Sequence, residues 1–75
     1  MTKARPEVIG RSMLRRRTAL NMTQTQCAAA LGVYKSTYSM WERGKNFPTA
    51  DKLPAIAGVL RCQIDDLFQP GEEQV

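Results

Sequence analysis

The sequence predicts an all-α domain. Apolar residues recur every three to four positions, no stretch alternates with the period of a strand, and the helical runs end at Asn21, Gly32 and Gly44. Those three residues accept the left-handed backbone that closes a helix. With 75 residues and a hydrophobic content of 43%, the chain makes one domain around a single small core. No second domain fits, nor a buried catalytic cavity of any size.

Residues 1–5 read as a flexible basic arm. Pro6 and Glu7 suit the first turn of a helix, where proline loses no hydrogen bond and an acid favours the dipole. That helix is expected over residues 6–20, with Ile9, Met13 and Leu20 on one stripe. Arg16 occupies a position of the same stripe. Either its stem is buried and its head escapes to solvent, or Leu14 carries part of the load.

The second helix spans residues 24–31 and opens on a capping signature, Thr23 with Gln26 three positions on. Cys27, Ala28 and Leu31 face inward, and Ala28 is small enough for two helices to cross closely. A tight turn at Leu31-Gly32-Val33 leads to the third helix, residues 35–43. Tyr38 and Trp41 anchor it at i, i+3 spacing. Its other edge carries Lys35, Ser36, Ser39, Met40 and Arg43. Such a helix is shaped to be held by protein on one side and read by DNA on the other.

Lys45-Asn46-Phe47-Pro48 forms a loop, with Phe47 expected to fold onto the core. The fourth helix covers residues 50–60, with Leu53, Ile56, Ala57 and Leu60 inward. Pro54 removes a hydrogen bond if Thr49 is the cap and costs little if Asp51 is. The fifth, residues 64–69, is short, and Asp65 and Asp66 complement its dipole. Residues 70–75 are expected to be a disordered tail.

The net charge of +4 conceals an asymmetry. Residues 1–45 hold nine bases against Glu7 and Glu42, whereas residues 46–75 hold Lys52 and Arg61 against five acids. A basic half joined to an acidic half suits a chain with one face toward a polyanion. No apolar run approaches the roughly 20 residues of a membrane span, and the MTKARPE start lacks the apolar centre of a secretory signal. Cys27 and Cys62 have no metal-ligand spacing and sit at apolar positions. Reduced thiols in a cytoplasmic protein are the favoured reading, with a disulfide the alternative. The absence of histidine removes imidazole acid–base chemistry and the commonest metal ligand. No enzyme activity, cofactor, metal or small-molecule substrate is expected.

Residues 9–68 resemble the Cro/Xre-type, lambda-repressor-like helix-turn-helix family. The resemblance rests on Ile9-Gly10, Arg17, Thr23-Gln24, Ala28, Leu31-Gly32-Val33, Ser36-Thr37, Trp41-Glu42-Arg43-Gly44-Lys45, Pro48, Leu53, Ile56-Ala57, Leu60 and Leu67-Phe68. It implies a compact five-helix domain whose third helix reads DNA, with Tyr34, Lys35, Ser36, Ser39 and Met40 at the major groove. Gln24 at the start of the second helix would bond a phosphate. Arg43, Lys45 and Asn46 would clamp another. Arg17 and Glu42 match a family pair that forms a partly buried salt bridge, a structural role.

The sequence departs from the family at three places. Tyr34 stands where a small hydroxyl usually caps the recognition helix, and its ring either packs on a thymine methyl or lies along the backbone. Met40 stands where a polar reader is common. Arg61-Cys62-Gln63 replaces a turn that usually contains glycine.

Arg15 and Arg16 either reach the DNA backbone or belong to a solvated face. Lys3 and Arg5 either enter the minor groove or fray. The resulting expectation is a sequence-specific regulator of double-stranded DNA, a repressor bound as a homodimer to a palindromic operator. Ile64, Leu67 and Phe68 are the candidate dimer contacts, the alternative being that all three are core. Two other readings stand: an antitoxin-like or adaptor protein with a toxin or other protein partner, and the N-terminal module of a larger repressor.

Overall fold

The computed structural model describes residues 5–69. The expected arm, residues 1–5, and tail, residues 70–75, lie outside those residues except for Arg5, whose carbonyl accepts from the Val8 and Ile9 N–H groups at the start of the first helix. Within the described residues run α1 (Pro6–Ala19), α2 (Gln24–Leu31), α3 (Lys35–Glu42), a 3₁₀ turn (Ala50–Lys52), α4 (Leu53–Val59) and a closing 3₁₀ helix (Ile64–Phe68). The class is all-α. Four segments are α-helical, and the expected fifth helix is wound as 3₁₀.

Pro54 explains the split in the fourth helix. A continuous helix from residue 50 would place proline where its missing N–H and its ring disrupt the ladder. The chain instead makes one 3₁₀ turn and restarts at Leu53, with Lys52 as the cap and Pro54 in the first turn. Neither Thr49 nor Asp51 caps α4.

Each α-helix ends in the same pair of backbone bonds around one left-handed residue. After α1, Met22 N–H donates to the Arg17 carbonyl and Asn21 N–H to that of Thr18. Val33 and Gly32, Lys45 and Gly44, and Cys62 and Arg61 repeat the pattern. Asn21 (φ 59°), Gly32 (φ 70°) and Gly44 (φ 74°) suit that conformation, whereas Arg61 (φ 57°) adopts it with a Cβ. The turn that lacks a glycine therefore keeps the geometry a glycine would favour.

The core gathers Ile9 and Met13 from α1, Cys27, Ala28 and Leu31 from α2, and Tyr38 and Trp41 from α3. Ile56, Ala57, Leu60 and Leu67 complete it. The Tyr38 and Trp41 rings meet edge to face, 6.2 Å apart at 63°. α1 packs on α3 and the closing 3₁₀ helix, and α2 on α3 and α4.

Two expectations need correction. Phe47 is 46% exposed, and Pro48 beside it is the buried residue of that loop. Leu67 is fully buried and cannot meet a second copy, while Ile64 and Phe68 are each 37% exposed. On α1, Leu14 lies outside the core, and Arg16 is half-buried with its Nε out of contact with water. Of the two alternatives for that stripe, the structure fits the buried Arg16 stem.

Two buried positions on α1 had no role assigned from sequence. Ser12 is fully buried and its hydroxyl donates to the Gln69 carbonyl at 3.0 Å, tying α1 to the end of the domain. Gly10 lies against the end of α3: a Cβ there would stand 2.5 Å from the carbonyl oxygens of both Trp41 and Glu42. Only a residue without a side chain lets α1 and α3 cross this closely.

Candidate nucleic-acid interface

The geometry begins with the turn. Gly32 ends α2 in left-handed backbone, and Tyr34 starts α3 two residues later. At the start of α2 the Thr23 hydroxyl accepts from Gln26 N–H at 3.0 Å, and the Gln26 side chain accepts from Thr23 N–H at 2.8 Å. This reciprocal cap satisfies two donors. The N–H groups of Gln24 and Thr25 precede the first intrahelical bond and remain for an outside acceptor. Tyr34 gives α3 no side-chain cap, so the N–H groups of its first turn face outward as well.

α3 sorts its residues by face. Tyr38, Trp41 and Glu42 are buried, whereas Lys35, Ser36 and Arg43 are exposed and Ser39 and Met40 half-buried. At 3.6 residues per turn, Ser36, Ser39, Met40 and Arg43 share one stripe, with Lys35 at its edge. Arg43 Nη2 lies 3.8 Å from the Met40 sulfur, so this guanidinium folds back along the stripe. Tyr34, 83% exposed, stands at the entrance. Lys45 and Asn46 are exposed just past the Gly44 stop.

Beneath this face lies a polar network. The Arg17 guanidinium grips the Glu42 carboxylate twice, Nε to Oε2 at 2.6 Å and Nη2 to Oε1 at 3.0 Å. Its Nη1 donates to the Met22 carbonyl at 2.9 Å. Gln24 Nε2 donates to Glu42 Oε1 at 2.8 Å. Burial alone would push the Glu42 carboxyl up. The bonds from Arg17 and Gln24 outweigh it and hold the group below its ordinary value. The Glu42 bond likewise raises the Arg17 pKa. Burial, then the adjacent Glu42, pushes the Tyr38 phenol far above its usual range and keeps it protonated. Its hydroxyl makes no well-directed hydrogen bond.

The structure therefore brings together Tyr34, Lys35, Ser36, Ser39, Met40 and Arg43, flanked by Gln24 on one side and Lys45 and Asn46 on the other. Arg15 and Arg16 make their contacts elsewhere. Arg15 Nη2 reaches toward Ser12 Oγ at 3.4 Å, and Arg16 acts electrostatically on the half-buried Cys62. Both thiols are free. No helix among the described residues is long and apolar enough to cross a membrane.

Two short helices joined by a glycine turn, the second with a buried aromatic edge and an open polar edge, define a helix-turn-helix domain. Comparison with known proteins gives the family. A model described as Helix-turn-helix matches residues 13–67, and the chain belongs to this family, of Cro/Xre type.

The chain is 39% identical over 51 residues to the cryptic phage CTXphi transcriptional repressor RstR of Vibrio cholerae, covering 68% of this chain and 46% of that protein. It is 39% identical over 59 residues to the HTH-type transcriptional activator BcrR of Enterococcus faecalis, covering 79% and 28%. The matched part is less than half of either relative. Its structure is similar to that of the P22 c2 repressor crystallised with a synthetic operator, with a TM-score of 0.78 and 29% identity. That alignment covers 83% of this chain and 94% of the repressor.

Proposed function

We propose that the chain binds double-stranded DNA sequence-specifically and regulates transcription, acting as a repressor on a palindromic operator as a homodimer. The observation that carries this reading is the division of α3: one face is sunk in the core, and the other presents a cation, two hydroxyls, a thioether and a guanidinium. A major groove admits such a helix and offers base edges complementary to those groups. Lys35 reads a base, and Ser36, Ser39, Met40 and Tyr34 tune the neighbouring positions. Gln24 bonds a phosphate at the start of α2, and Arg43, Lys45 and Asn46 hold the strand beyond α3.

The relatives' names support transcriptional control, with a repressor and an activator both among them. The P22 c2 repressor was crystallised with an operator, which supports duplex DNA as the partner. Ile64 and Phe68, exposed on the closing 3₁₀ helix, are the surface a second copy would cover. Two copies would place their α3 helices in successive major grooves about 34 Å apart.

Selection of bound sequences from random duplexes, followed by titration in salt, tests the reading. A palindromic consensus is expected. If Arg43 and Lys45 of each subunit neutralise one phosphate apiece, log affinity against log salt falls with a slope of about −4. Lys35→Ala should relax preference at one base position, whereas Gln24→Ala should weaken all sequences alike. No duplex binding at low salt, or a slope near zero, refutes the proposal.

A further inference from the structure

We propose that Glu42, which faces the interior, is a positioning residue for DNA binding: it holds the Gln24 amide ready for phosphate. The inference rests on the reading of Gln24 as a phosphate contact and adds a reason why that contact is effective.

A glutamine amide has two N–H donors on one nitrogen. In Gln24 one of them is committed to Glu42 Oε1 at 2.8 Å, which fixes the plane of the amide. The other remains for a ligand, beside the unused backbone donors at the start of α2. An unrestrained glutamine gives up its rotamers when it meets a phosphate, whereas this one gives them up on folding.

A lone carboxylate so close to the proposed phosphate would repel it. The two bonds from Arg17 neutralise Glu42 and leave its oxygen as an oriented acceptor. Arg17 is itself anchored through Nη1 to the Met22 carbonyl, two residues before Gln24. The chain of bonds thus starts at the end of α1, passes through α3 and returns to the start of α2. No member except Gln24 need touch DNA.

Two substitutions separate positioning from charge. Glu42→Gln keeps an acceptor of the same reach and loses the charge. Glu42→Asp keeps the charge and withdraws the carboxylate by one methylene. Affinity is measured against a selected operator and a random duplex, at a temperature where circular dichroism finds each variant folded. Glu42→Asp should lose roughly three- to tenfold on both duplexes, the scale of freeing one rotamer-rich side chain. Glu42→Gln should lose less. In a Gln24→Ala background, Glu42→Asp should cost nothing further. Equal losses for the two variants, or the same loss with Gln24 already removed, overturn the proposal.

A second measurement needs no variant. In the free protein the Gln24 side-chain amide should exchange with water more slowly than that of Gln26, and the two should separate further on adding duplex. Equal exchange in the free protein overturns the Glu42–Gln24 bond itself. If the wild-type chain binds no duplex while that amide is protected, the failure belongs to the functional reading instead.

Discussion

Replacing Gly10 by alanine should destabilise the domain, although alanine is the better helix former. A Cβ at this position meets the Trp41 and Glu42 carbonyl oxygens at 2.5 Å. Even close C–H···O contacts sit near about 3.3 Å, so α1 and α3 must part by roughly 0.8 Å. The obstructing atoms are backbone and cannot rotate away. Overpacking costs about 1–3 kcal/mol, and against unyielding backbone the upper part of that range applies, about 2–3 kcal/mol. The gain in helix propensity returns at most about 1 kcal/mol, leaving a net loss of about 1–2 kcal/mol. For a domain of this size that lowers Tm by roughly 5–15 °C.

Gly58 supplies the control. It lies in α4, is exposed, and a Cβ there meets nothing within 4 Å. Gly58→Ala should therefore raise stability by about 0.5–1 kcal/mol. Thermal unfolding followed at the helical circular-dichroism band compares the two variants directly. Movement of both melting temperatures in one direction, or a Gly10→Ala variant as stable as the parent, refutes the close-crossing argument.

Two further outcomes follow from the backbone and the polar network. Glu42 ionises more readily folded than unfolded, so its contribution is present above its ordinary value of 4.5 and is lost as pH falls through the lower folded value. The melting temperature of Glu42→Gln should thus converge on that of the parent in acid, and a constant gap across pH would contradict the assignment. Arg61→Gly should stabilise by roughly 0.5–1 kcal/mol, because a left-handed residue with a Cβ costs about 1–2 kcal/mol and glycine returns part of that to the unfolded chain. A denaturant midpoint below the parent's would mean that the Arg61 side chain supplies compensating contacts.

Much of the fold was legible because its signals are local. The Thr23–Gln26 cap and the Asn21, Gly32 and Gly44 stops each act within a few residues of sequence. The segregation of α3 follows from helical period alone. What escaped reading depends on partners distant in sequence. Ser12 looks like a surface serine until its acceptor, the Gln69 carbonyl, is brought beside it. Gly10 looks like a poor helix residue until α3 crosses it. Phe47 is strongly apolar yet lies exposed, while its neighbour Pro48 is the buried residue of the loop. The Gln24–Glu42 bond was hidden for the same reason: each residue had a role, but nothing local joined them. Leu67 and its neighbours Ile64 and Phe68 were inseparable by composition and are separated by the winding of a single 3₁₀ segment.

The division of α3 has a consequence for how this protein can change. Lys35, Ser36 and Ser39 make no side-chain hydrogen bond or ion pair among the described residues, and the Arg43–Met40 contact stays within α3 and its C-cap. The groups that hold the helix in place, Tyr38, Trp41 and Glu42, all lie on the opposite side. The outward residues can therefore be exchanged as a set without disturbing the core, like type in a fixed frame. On the proposed reading of this face, successive variants acquire new sequence preferences by few substitutions and with little loss of stability on the way.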